Sequence, residues 1–290
     1  MSRLTTAAIV LRRREYGDYD LIVSVLTRHH GKRTLIAKSA KKSAKRFPGI
    51  LEPFNSLQIS FRQGKRRGMP VLEEATLGQP SGPIRSDVLK TAYASYWAEC
   101  VDAWMEEGEV RPDIFHLLDD VLAGLVDDSL APALLSLLFQ MRFVGHEGLR
   151  PVLERCTGCQ CELEEMPQTA FCIDLGKGGI VCNQCPTNAS GHLHLSRGTL
   201  KQLQWIADGD LAKARRARFT APAMVEATRF LEAFVPYHIG RKLKSLAFLQ
   251  SIRATADHRC RGRRDHSQRH HRQGVGNDEN HSRFTRSRER

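Results

Sequence analysis

The sequence predicts an α+β, multi-domain protein: a small five-stranded β-barrel, then an α-helical domain into which a four-cysteine metal module is inserted. Three observations carry this prediction. Residues 5–77 alternate Val/Ile/Leu/Thr-rich runs with turn material, helical periodicity begins after the breaker "GQPSGP" (78–83), and six of the eight cysteines fall between 156 and 185. The expected boundaries are 1–80 for the barrel, 81–250 for the helical domain with its insertion at about 153–190, and 251–290 for a basic tail.

The runs "TAAIVLRR", "YDLIVSVLT", "RTLIAK", "SLQISFRQ" and "MPVLEEATL" read as strands separated by "YGD", "HHGK" and "QGKRRG". Five strands in so short a segment are too few for a sandwich and suit a closed barrel of the OB type. The stretch "IAKSAKKSAKRFPG" (36–49) then connects the third strand to the fourth. Beyond the breaker, Tyr93, Trp97, Cys100, Val101 and Trp104 recur at helical spacing, with Ser86 or Asp87 as cap. A helix over 112–126 carries Pro112 in its first turn, and one over 130–146 carries Leu130, Leu134, Leu137, Leu138 and Met141. Helical pattern resumes at "SRGTLKQLQWIA" behind Ser196, continues from 221 to Pro236, and ends with "RKLKSLAFL" (241–249). These Trp and Leu stripes are read as helix packing. From 251 onward the chain is Arg, His and small polar residues, too poor in apolar surface to offset its ordering entropy, and is expected to be disordered.

Charge is unevenly spread. Residues 1–80 carry a balance of +10, residues 81–250 of −4 and residues 251–290 of +6. Polyanion binding therefore belongs to the ends rather than the middle. No stretch approaches the roughly 20 apolar residues of a membrane span, and the N-terminus lacks an export signal, so a cytoplasmic location is expected.

Cys156-x2-Cys159 and Cys182-x2-Cys185 lie 22 residues apart and place four thiolates within reach of one tetrahedral zinc. Cys161 and Cys172 leave a shifted ligand set open, although the CxxC pairs are favoured. Four thiolates close the coordination shell, so one structural zinc is expected rather than a catalytic one. Zinc-deaminase, HExxH, phosphate-loop and GxSxG patterns are all missing, and an enzyme is not expected.

The segment "AAIVLRRREYGDYDLIVSVLTRHHGKRTLIAKSAKKSAKRFPGILEPFNSLQISF", with its "LEPF", and the later "GGIVCNQC" closely resemble the RecO family of bacterial recombination mediators. The order of barrel, helices, zinc insertion and helical return also resembles that family, over about residues 4–249. Two departures stand out: Tyr19 occupies a position where the family usually has a small residue, and Ser39 one where it often has Gly. The tail beyond Gln250 has no expected counterpart. The resemblance implies a nucleoid-associated DNA repair protein. Such proteins bind single- and double-stranded DNA, anneal complementary strands, act with RecR and single-strand-binding protein, and help load RecA.

The resemblance supplies no short motif for DNA contacts, so these are read from charge. Lys38, Lys41, Lys42, Lys45 and Arg46 form a run without an acid; Arg12, Arg13 and Arg14, the pair Lys32 and Arg33, and Lys65, Arg66 and Arg67 lie at strand ends or in loops of the same barrel. A basic run taken alone is usually a solvated loop. The charge partition and the barrel pattern make it a phosphate-binding surface instead. Phe47 and Tyr16 lie nearby, although aromatics in small barrels are more often core. A zinc-ribbon adaptor acting on RNA or in transcription would share these features, and preference for structured RNA would distinguish it. A zinc nuclease would need an open metal position.

Overall fold

The computed structural model describes residues 3–42, 46–63, 68–186, 193–208, 214 and 216–255. Strands β1 (Arg3–Tyr16), β2 (Asp20–Thr27), β3 (Gly31–Ala37), β4 (Ser56–Arg62) and β5 (Val71–Leu77) close into a barrel in the order β1-β2-β3-β5-β4. Neighbours pair antiparallel except β3 and β5, which meet in parallel through Ile36 and Val71. Alternation explains the closure: Ala8, Val10, Val23, Val25, Leu35, Ile59 and Phe61 fill the interior. Ile9, Leu11 and Leu26 point outward into the helical core. A bulge between Val10 and Arg12 shifts the register of β1 against β2.

The helices follow in order: a short turn α1 (Gly82–Arg85), α2 (Val88–Trp104), α3 (Pro112–Val126) and α4 (Pro132–His146). Asp87 caps α2 by accepting the N–H groups of Leu89 and Lys90. After the cysteine segment come α5 (Arg197–Asp208), α6 (Ala221–Ile239) and a final helix α7 over 244–255. Ser196 Oγ caps α5 by accepting the Thr199 N–H at 3.3 Å. The apolar stripes are core, with Trp97 and Tyr96 fully buried.

Two sequence expectations need correction. The helix expected to stop at Pro236 passes through it and ends at Ile239, where Gly240 adopts φ 75°. So near the C-terminus the proline removes one intrahelical bond while the glycine closes the helix. Residues 251–255, expected to belong to a disordered tail, are helical, and Arg253 donates to the buried Glu232 at 2.6 Å. The remainder of that tail, 256–290, lies outside the described residues.

The barrel is locked to the helical domain along the edge of β3. Because β3 meets β5 only near Ile36, its first residues present unpaired backbone groups, a liability that must be covered. The segment after α2 covers them: Gly108 N–H donates to the Lys32 carbonyl at 2.8 Å, and Thr34 N–H donates to Glu107 Oε1 at 2.7 Å. Asp102 on α2 accepts from Ser24 Oγ at 2.9 Å, while its carbonyl accepts from Lys32 Nζ at 2.7 Å. Gly31 makes the approach possible: at φ 69°, a Cβ there would stand 2.0 Å from the Glu109 carbonyl oxygen. Gly31→Ala is therefore expected to cost more than the roughly 1–2 kcal/mol of left-handed backbone alone. The check is a lowered urea midpoint for the whole chain.

Candidate nucleic-acid interface and metal centre

The basic run folds back onto the tip of the β1–β2 hairpin. Lys41 N–H donates to the Tyr19 carbonyl at 3.0 Å, Ser39 N–H donates to Asp20 Oδ1 at 2.7 Å, and the Lys42 ammonium lies 3.4 Å from the centre of the Tyr19 ring. Ser39 sits at φ 55°, in the region that favours glycine. The hydrogen bond that its N–H donates to Asp20 Oδ1 holds the turn in place. The Tyr19 ring supports a cation of the run.

Pairing register sorts the arginine triplet. Arg13 lies opposite the interior residue Val23, whereas Arg12 and Arg14 lie opposite Ser24 and Ile22 on the outer side. Arg13 consequently faces a groove of about 320 Å³ lined also by Lys41, Lys42, Phe47 and Gly49. Phe47 is buried and floors the groove, while Tyr16 is 53% exposed. Lys41 pairs with Glu15 at 2.7 Å, Arg13 with Glu52 at 2.8 Å and Lys38 with Asp20 at 3.9 Å. Lys41 beside Glu15 holds that carboxyl below its usual range. Exposed pairs of this kind are screened by solvent and yield readily to a phosphate. Arg46 donates to the Lys38 carbonyl at 2.6 Å, and Arg14 has no hydrogen-bond or ionic partner among the described residues.

The remaining predicted cations are placed differently. Arg12 lies 3.5 Å from Asp102, and the mostly buried Lys32 donates to the Asp102 carbonyl. Arg33 Nε donates to the His30 carbonyl, with its guanidinium against Gly108. These three brace the domain junction. Lys45, Lys65, Arg66 and Arg67 lie outside the described residues. Tyr19 is not among the predicted site residues, although two tyrosines flanking a hairpin turn in "YGDYD" are visible in the sequence.

The second site is built on a small sheet. Strands β6 (Ala170–Asp174), β7 (Gly179–Val181) and β8 (His194–Ser196) are ordered β7-β6-β8, and β7 delivers the second knuckle beside the first. The thiols of Cys156, Cys159, Cys182 and Cys185 all lie within 4.8 Å of one another, whereas Cys161 turns to the Glu162 carbonyl and Cys172 lies on β6. Cys159 and Cys182 sulfurs are 3.7 Å apart. Tetrahedral zinc with Zn–S near 2.3 Å requires about 3.8 Å between sulfurs, so the donor set fits that ion.

The knuckle amides point at sulfur, Gly158 and Cys182 N–H each reaching Cys156 Sγ at 3.3 Å. Burial pushes the Cys156 thiol up, but these backbone N–H groups and that of Cys159 outweigh it and bring it down to about 6. Cys185 is pushed up to about 12, first by the hydrogen bonds it shares with Cys182 and Cys159. Gly158 is needed because a Cβ there would stand 2.8 Å from Cys185 Sγ. Gly179 is needed because a Cβ there would stand 2.3 Å from the Val152 carbonyl oxygen. Arg197 fastens the module to α5, donating to the Leu163 carbonyl at 2.6 Å and to the carbonyls of Met166 and Gln168.

No helix among the described residues is long and apolar enough to cross a membrane. Comparison with known proteins agrees with this architecture. The family model described as "Recombination protein O N terminal" matches residues 1–80, and "Recombination protein O C terminal" matches residues 85–247. The chain is 43% identical over 258 residues to a DNA repair protein RecO of Desulfosudis oleivorans, covering 87% of this chain and 99% of that one. It is 42% identical over 254 residues to one of Desulfatibacillum aliphaticivorans, covering 87% and 98%, and 32% identical over 252 residues to one of Anaeromyxobacter dehalogenans, with the same shares. An OB barrel joined to a helical domain with a four-thiol centre, matched over nearly its full folded length, places this chain in the RecO family of DNA repair proteins.

Proposed function

We propose that this chain is a non-enzymatic recombination mediator working in the cytoplasm at the nucleoid. It holds single- and double-stranded DNA on its barrel, anneals complementary strands, and acts with RecR to help load RecA onto strands coated by single-strand-binding protein. The observation that carries this reading is the convergence of Arg13, Lys41 and Lys42 on a single groove of the barrel, with Arg46 donating to the Lys38 carbonyl in the same basic run.

The mechanism follows from charge. Two strands repel through their phosphates; each strand held on a cationic surface has released counterions and repels its complement less. Base pairing then selects the sequence, and the protein needs no contacts to base edges. Tyr16 and Tyr19, both about half exposed beside the run, offer ring faces on which bases can stack. Cys156, Cys159, Cys182 and Cys185 would hold a zinc ion, and four thiolates would complete its coordination without a position for water. Its contribution is to brace the insertion against α5 and not to activate a nucleophile. The acidic balance of the helical domain suits it to protein partners.

The decisive test is annealing of complementary oligonucleotides precoated with single-strand-binding protein, beside naked strands and a structured RNA. Acceleration on both DNA substrates, with weaker binding to the RNA, is expected. Acceleration on naked strands alone would reduce the protein to a DNA coat, and preference for the RNA would replace mediator with RNA adaptor.

A further inference from the structure

The helical domain is acidic overall, yet one face of α5 is not. Lys201 and Trp205 are one turn apart on it, and the segment 216–218 returns alongside, held by the Gln202 side chain donating to the Arg218 carbonyl at 2.8 Å. Together Lys201, Gln202, Trp205, Arg216, Ala217 and Arg218 line an open groove of about 390 Å³. Trp205 is 46% exposed there, whereas Trp97 is fully buried and Trp104 packs on the core and donates its indole N–H to Glu147.

Three further observations define what fits. Arg216 and Arg218 are exposed, and their side chains engage no acid among the described residues. Among the described residues Lys201 has only a 3.8 Å contact to Glu164, both side chains more than half exposed, a pairing that solvent screens. Finally, the side-chain oxygen of Gln202, which lines the groove, is buried without a hydrogen-bond donor among the described residues. A flat aromatic face bordered by three cations, with a waiting acceptor beneath, matches an unpaired nucleotide. Its base has a π face and N–H donors, and its neighbours carry phosphates. A duplex cannot present a base face to Trp205, because its bases are stacked and paired.

We propose that this groove is a second binding site for single-stranded nucleic acid, in which Trp205 stacks on a base, Lys201, Arg216 and Arg218 hold flanking phosphates, and Gln202 accepts from the base. This rests on the reading of the chain as a DNA-binding protein, but it adds a site separate from the barrel groove. A strand engaged at both sites would be held as a bridge between barrel and helical domain, multiplying affinity through effective concentration.

The experiment uses the full chain carrying the barrel substitutions K41E and K42E, titrated with short oligothymidylate at low ionic strength while tryptophan emission is followed. Quenching that saturates is expected. Adding Trp205→Ala is expected to weaken binding, read by anisotropy of labelled oligonucleotide, about 10-fold or more, whereas Trp205→Phe preserves it. Adding Arg216→Glu is expected to flatten the salt dependence. Loss of all quenching in the barrel variant, with binding intact in the unmutated chain, would overturn the second site while leaving the barrel site standing. Quenching by an acidic peptide but not by oligothymidylate would overturn it in favour of a protein-docking groove. Equal affinity of Trp205→Ala and unmutated Trp205 would remove stacking and with it the proposal.

Discussion

Cys156→Ser is expected to empty the metal centre and loosen the segment around residues 153–186. Cys156 is fully buried, accepts two backbone N–H groups and lies within 4.8 Å of the other three thiols, so a serine leaves these amides facing a weaker acceptor and the ion one ligand short. Zinc binding contributes on the order of 10–16 kcal/mol in small zinc domains, and losing even part of it is enough to unfold a module held by three short strands. Metal content by elemental analysis and protease resistance report this directly. Cys161→Ser and Cys172→Ser serve as controls and should keep both properties. Retention of metal by Cys156→Ser together with its loss in Cys161→Ser would show that the ligand set is shifted. DNA binding by the barrel should survive, because the barrel interior is filled by its own residues and none of the module's.

Reversing Lys41, Lys42, Lys45 and Arg46 to Glu is expected to have the largest effect on DNA affinity. Each phosphate contact on a single strand contributes about 0.7 to the slope of log affinity against log salt, so four lost contacts remove about 2.8. A fourfold rise in salt should then weaken the unmutated protein about fifty-fold more than the variant. The loss should be the same for unrelated sequences, since phosphates carry no base identity. Annealing should slow with it. A variant that binds weakly but anneals at the original rate would separate annealing from charge neutralisation.

Much of the architecture was legible because it rests on local patterns. Strand alternation and turn residues mark all five barrel strands, Asp87 and Ser196 mark helix starts, and the repeated CxxC spacing marks the thiols that converge. Pro236 misled, because a proline near a helix end costs little once Gly240 supplies the stop. The end of α7 was also hidden: "SIRAT" has too little apolar character to announce a helix, and it is Arg253 reaching Glu232, 21 residues earlier in sequence, that holds it.

The candidate site divides in the same way. Composition determined that the N-terminal domain is cationic and that Cys156, Cys159, Cys182 and Cys185 suit one ion, since charge and ligand spacing are properties of the chain itself. Which cations act together was decided only by tertiary structure. Adjacent residues of a strand point to opposite faces, so Arg13 enters the groove while Arg12 turns to Asp102, and Lys32 is drawn into the domain junction by a carbonyl 70 residues away. The face around Trp205 likewise exists only because residues 216–218 fold back beside α5, a juxtaposition that no local period encodes.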